Sequence, residues 1–142
     1  MVYLILALVL YTMATLFGAS ASRNLNTNLV AVIANVLSAA VPLAVIIPSV
    51  MRGSLHFQKY GVVMAVLGGA SVGLFVMAIN KSFTLNKVGI VTPVVFGGTI
   101  LLTTILSYFL FKEKITPVEL IGLSLVLAGI LLIIYARATV SS

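Results

Sequence analysis

Very few side chains in this chain are able to carry chemistry. It has no cysteine, no aspartate, one histidine (His56) and two acids, Glu113 and Glu119. His56 stands between Arg52 and Lys59 with no second ligand beside it, so no metal site is expected there. Thr116-Pro117-Val118-Glu119 reads as a capping box with proline at the first helical position, so Glu119 marks a helix start rather than an acid–base group. Nucleophilic catalysis needs a nucleophile with a base, and metal catalysis needs a ligand set. The apolar runs hold neither, so no enzyme, no catalytic residue and no cofactor is expected.

What remains is hydrogen bonding from hydroxyls and one carboxamide set in apolar surroundings. Tyr11, Thr15, Asn35, Ser38, Thr92, Thr99 and Thr103 are the candidates for lining a substrate pathway. Asn35 is the most telling of them, because an amide deep in an apolar helix needs a partner or water. Two readings stand: an interhelical hydrogen bond worth about 0.6–2 kcal/mol, or a pore-lining contact.

The elements that position these groups follow from composition. Of 142 residues, 62% are hydrophobic and 7% charged, with a mean hydropathy of +1.30. A water-soluble domain of this size has too few polar groups to cover itself, so an integral membrane protein of one domain, residues 1–142, is expected. Five apolar spans are visible, at roughly 2–19, 29–51, 60–80, 88–111 and 117–136, each near the ~20 residues that cross a bilayer. In lipid only helices or closed barrels satisfy their own backbone, and these runs are too long for barrel strands. The fold class is therefore all-α, a polytopic bundle of five transmembrane helices.

The first span opens without a basic residue. Ala19-Ser20-Ala21 resembles a signal cleavage site, but the charged n-region is missing, so a retained helix is expected. Ala7, Tyr11, Thr15, Gly18 and Ser22 give it one small-or-polar face. In the linker Arg23–Asn28, either Asn26 or Thr27 suits the cap of the second helix. That helix carries Asn28, Ala31, Asn35, Ser38 and Pro42 on one face, and Pro42 and Pro48 favour bending. In the third, Gly69 and Gly73 form a small-xxx-small pattern that reads as packing. In the fourth, Thr92, Phe96, Thr99, Thr103 and Ser107 share a face. Pro93 removes a backbone donor and Gly97-Gly98 weakens the helix, so a hinge at Pro93, Gly97 and Gly98 is expected alongside the plainer reading of a static kink. In the fifth, Gly122 and Gly129 lie seven apart on one stripe and suit contact with another helix.

With these motifs in view, the chain resembles the drug/metabolite transporter superfamily, as a single five-helix EamA-type half. The likeness is strongest over residues 78–136. It rests on Ala78, Thr92-Pro93-Val94, Glu113, and Ile121-Gly122 to Ala128-Gly129-Ile130, and the first two spans match by length and order alone. Helices three to five are also similar to the small multidrug resistance branch, whose paired glycines hold an antiparallel dimer; this implies a dimer contact at Gly122 and Gly129. That branch carries a glutamate in its first helix, which the first span here lacks.

The net charge of +6 comes from eight basic residues and two acids in short loops. They form no nucleic-acid stripe and suit lipid headgroups. Five spans set Arg52, Lys59, Lys112 and Lys114 on one side and Arg23, Lys81, Lys87 and Arg137 on the other, with no bias between them. The expectation is a transporter of the cell (plasma or inner) membrane, moving a small neutral or zwitterionic metabolite or drug by alternating access. It is expected to work as a homodimer, antiparallel through dual topology, or paired with a homologous half-transporter. A lipid-linked sugar flippase subunit and a non-transporting membrane assembly protein are the alternatives.

Overall fold

The structure, a computed structural model, describes residues 2–53 and 58–139. His56 lies outside the described residues, as does Ser142. Five helices account for nearly all of the described chain: α1 (Val2–Asn24), α2 (Thr27–Met51), α3 (Lys59–Leu85), α4 (Val88–Phe111) and α5 (Pro117–Thr139). No strand occurs among the described residues. All five are long and apolar enough to cross a membrane. This is the expected all-α class.

The helix ends are set by local chemistry. Asn26, rather than Thr27, caps α2, its Oδ1 accepting from the Asn28 N–H at 2.9 Å. Gly53, at φ 63°, ends the same helix, with its N–H donating to the Val50 carbonyl at 3.0 Å. The capping box at α5 is reciprocal. The Thr116 N–H donates to Glu119 Oε2 at 2.6 Å, and the Glu119 N–H donates back to Thr116 Oγ1 at 3.3 Å. Helices α1 and α3 run about five residues past their apolar runs. Side chains make this possible: Asn24 Nδ2 donates to the Ser20 carbonyl at 2.8 Å, and Ser82 Oγ to that of Ala78 at 3.0 Å.

The chain divides into two compact units, Met1–Leu85 and Asn86–Ser142. In the first, α1, α2 and α3 touch one another pairwise. Its buried residues gather at one end of the three helices: Ala19 and Ser22 of α1, Val30 and Ala31 of α2, and Ile79, Asn80 and Phe83 of α3. Small side chains on α1 and α2 let the backbones close on the larger ones of α3. In the second unit, α4 packs on α5, with Val91 the buried apolar side chain and Leu123, Val126, Gly129 and Ile130 forming a half-buried stripe. The remaining surface of both units is dominated by exposed Leu, Ile, Val and Phe, as lipid-facing helices require.

Candidate functional site

The first unit holds a groove of about 710 Å³ between α2 and α3. Asn28, Ala31 and Asn35 line it from α2, and Ala70, Gly73 and Met77 from α3. The α2 residues recur at spacings of three and four, so one helical face forms a wall. Gly73 keeps the opposite wall shallow, since a Cβ there would meet nothing within 4 Å. Asn35 is half-buried, and its Nδ2 donates to the Ala31 carbonyl of its own helix at 2.8 Å. The amide is thus held against the groove wall by a local bond.

The other candidates of this unit are held in the same way. Thr15 Oγ1 donates to the Tyr11 carbonyl at 2.8 Å, and Ser38 Oγ to that of Asn35 at 3.0 Å. Such back-bonding satisfies the hydroxyl proton inside an apolar helix and leaves lone pairs free to accept. Thr15 is half-buried, whereas Tyr11 and Ser38 are exposed. The structure therefore sets Asn35 in the groove and leaves Ser38 one turn along α2, outside the lining residues.

Two further polar groups lie in the core of this unit, and the sequence alone assigns neither of them a role there. Ser22 is 2% exposed and donates to the Gly18 carbonyl at 2.7 Å. Asn80 is 3% exposed, and its Nδ2 has no hydrogen-bond partner. A buried unsatisfied donor costs roughly 1–3 kcal/mol. Gly18 of α1 faces the amide oxygen: a Cβ at position 18 would stand 3.7 Å from Asn80 Oδ1, an ordinary contact distance. The signal in the sequence is the face shared by Gly18 and Ser22, but Asn80-Lys81 reads as the polar end of a span.

In the second unit α4 is interrupted. Residues Pro93–Gly97 form a π-turn between two α-helical segments, Val88–Thr92 and Gly98–Phe111. Pro93 has no N–H for the carbonyl four residues back, and a widened turn is the local answer to that loss. The inserted residue rotates the lower segment by about 100°. As a result Leu101, Thr104 and Ser107 occupy the half-buried side of that segment, while Thr99 and Thr103 are exposed within this unit. Thr99 and Thr104 both donate to the carbonyl four residues back, at 2.7 and 2.9 Å. Thr92, at the head of the π-turn, does not: its Oγ1 is buried and without a partner.

The glycines of this unit differ in surroundings. A Cβ on Gly97 would stand 2.5 Å from Ile130 Cδ1, so Gly97 is where α4 and α5 come close. At Gly98, Gly122 and Gly129 a Cβ would meet nothing within 4 Å. Gly89, in the first turn of α4, lies under the Arg137 guanidinium, whose Nη2 would be 2.6 Å from an added Cβ.

The described residues thus offer uncharged donors and acceptors on membrane-embedded helices: Asn35 in a groove, Asn80 sealed in a core, and Thr92 above a break in a helix. Groups of this kind bind and release polar solutes by hydrogen bonding without fixed charge. In comparison with known proteins, the model of the EamA-like transporter family matches residues 1–135. No curated protein and no solved structure matches the chain.

Proposed function

The chain belongs to the EamA-like transporter family, a multi-pass membrane transporter group, and from that premise we propose that it carries a small neutral or zwitterionic solute by alternating access. The observation that carries this reading is the π-turn at Pro93–Gly97, with the unpartnered Thr92 hydroxyl at its head. Interrupted helices within the membrane are where carriers bare backbone and polar groups to a solute, and π-turns recur at working sites. Asn35 in the α2–α3 groove supports the same reading. Tyr11, Thr15, Ser38, Thr99 and Thr103 join the pathway as acceptors, and Pro93, Gly97 and Gly98 serve as the hinge. The two units work as one transmembrane domain in the plasma or inner membrane.

The functional form is a dimer of this chain. A Cβ on Gly122 or Gly129 would meet nothing within 4 Å, so both leave room for an approaching helix, Gly122 on the exposed side of α5 and Gly129 within its half-buried stripe. The even split of basic residues between the two sides favours an antiparallel arrangement across these glycines.

The test is uptake by proteoliposomes of a labelled panel of neutral sugars and neutral amino acids. Replacing Asn35→Leu removes about one hydrogen bond, so transport of the accumulated solute should fall roughly fivefold to tenfold while the helical content stays unchanged. A panel with no accumulated solute, or equal uptake by the variant, would defeat the assignment.

A further inference from the structure

Asn80 is the buried polar residue to which the transport reading gives no part. It follows Met77 by three residues on α3, and Met77 lines the groove, so the Gly73–Met77–Asn80 stripe runs from the groove wall into the core, the last step being about 4.5 Å along the axis. Gly18 of α1 faces Asn80 Oδ1, and Ala19, Ser22, Val30, Ala31, Ile79 and Phe83 are the other residues buried at this end of the unit.

We propose that Asn80 Nδ2 is the donor that recognises an uncharged oxygen, a carbonyl or hydroxyl, on a substrate whose apolar body lies in the α2–α3 groove. The word substrate rests on the transport reading; the site itself does not. The donor is sealed in this conformation, and a shift of α1 or α2 off α3 uncovers it. An uncharged oxygen is specified because, among the described residues, neither the groove lining nor the core around Asn80 contains a charged side chain. A carboxylate would enter without a counter-charge. The groove walls, apart from Asn28 and Asn35, are apolar and ask for an apolar body.

The experiment uses the full chain in nanodiscs with nitrogen-15 in its asparagines. The probe is N-octylacetamide, which joins an uncharged carbonyl to an apolar chain, and octylammonium chloride is the control. Addition of N-octylacetamide should move the Asn80 side-chain amide resonance saturably, and octylammonium should not. By equilibrium dialysis against empty nanodiscs, Asn80→Leu should bind N-octylacetamide at least fivefold more weakly, with its melting temperature equal to or above that of the parent. A still resonance, equal binding by the Leu variant, or equal binding of octylammonium overturns the proposal. So does loss of folding in Asn80→Leu that Asn80→Gln repairs, which would make the amide structural. Saturable binding without uptake of any panel solute strikes the transport reading and leaves the site. Uptake that persists undiminished in Asn80→Leu strikes the site alone.

Discussion

Gly97 and Gly98 are neighbours with opposite constraints. A Cβ on Gly97 runs into Ile130, and one on Gly98 meets open space. Gly97→Val should therefore destabilise the protein by about 1–3 kcal/mol through overpacking. Gly98→Ala should be neutral or stabilising by up to about 1 kcal/mol, because alanine is the better helix former. Unfolding of both variants in mixed micelles checks the contrast, and Ile130→Ala should recover most of what Gly97→Val loses. A gain at both positions would mean that the glycines act through helix propensity alone. At this scale the sequence is legible where one residue type has one meaning. The Thr116–Glu119 box appears as its spacing dictates, and Asn35 stands out as an amide among apolar neighbours. Asn80 is hidden because its burial comes from α1 and α2 folding over it, and a polar pair at the edge of an apolar run reads as the water boundary.

Helix boundaries and helix registers belong to the next scale. Hydropathy locates all five helices, yet it ends α1 and α3 early, because a polar turn remains helical when its side chains satisfy its carbonyls. A regular period draws the polar face of α4 through Thr99 and Thr103. The π-turn offsets that period by one residue, and Thr104 takes the half-buried side. Pro93 gives notice of a disturbance, but a proline does not announce whether the chain will kink or widen. If the missing N–H is the cause, Pro93→Ala should restore the regular helix and turn the lower segment by about 100°. Spin labels placed singly at residues 100–107 report this through their oxygen accessibility. The minimum should move from the positions of Leu101 and Thr104 toward those of Ile100 and Thr103. An unmoved pattern would show that the packing of Gly97 on Ile130, rather than the proline, holds the π-turn. The cap of α5 is a second lever. Thr116→Val removes the hydroxyl from the box and should cost about 0.5–2 kcal/mol in unfolding free energy. Glu119→Gln keeps an acceptor for the Thr116 N–H and should cost less.

Orientation is a property of the whole molecule, and it depends on charges that have no part in packing. Four basic residues flank the spans on each side, so the bias that normally fixes insertion is absent. Both acids, Glu113 and Glu119, fall in and after the turn that holds Lys112 and Lys114, and acids have little influence on orientation. If the unbiased chain inserts both ways, two opposed copies would reproduce the inverted repeats of larger carriers. Reporters fused after Ser142 should then be active on both sides of the membrane. Removing two charges from one side, Arg23→Ala with Lys87→Ala, should commit the chain to one orientation. Lys59→Ala with Lys112→Ala should commit it to the other. If opposed copies form the carrier, each biased variant alone should lose uptake, and the two expressed together should regain at least about half of it, because mixing restores the opposed pair. A reporter active on one side only in the parent chain, or full uptake from either variant alone, would leave a parallel assembly or a different partner as the working form.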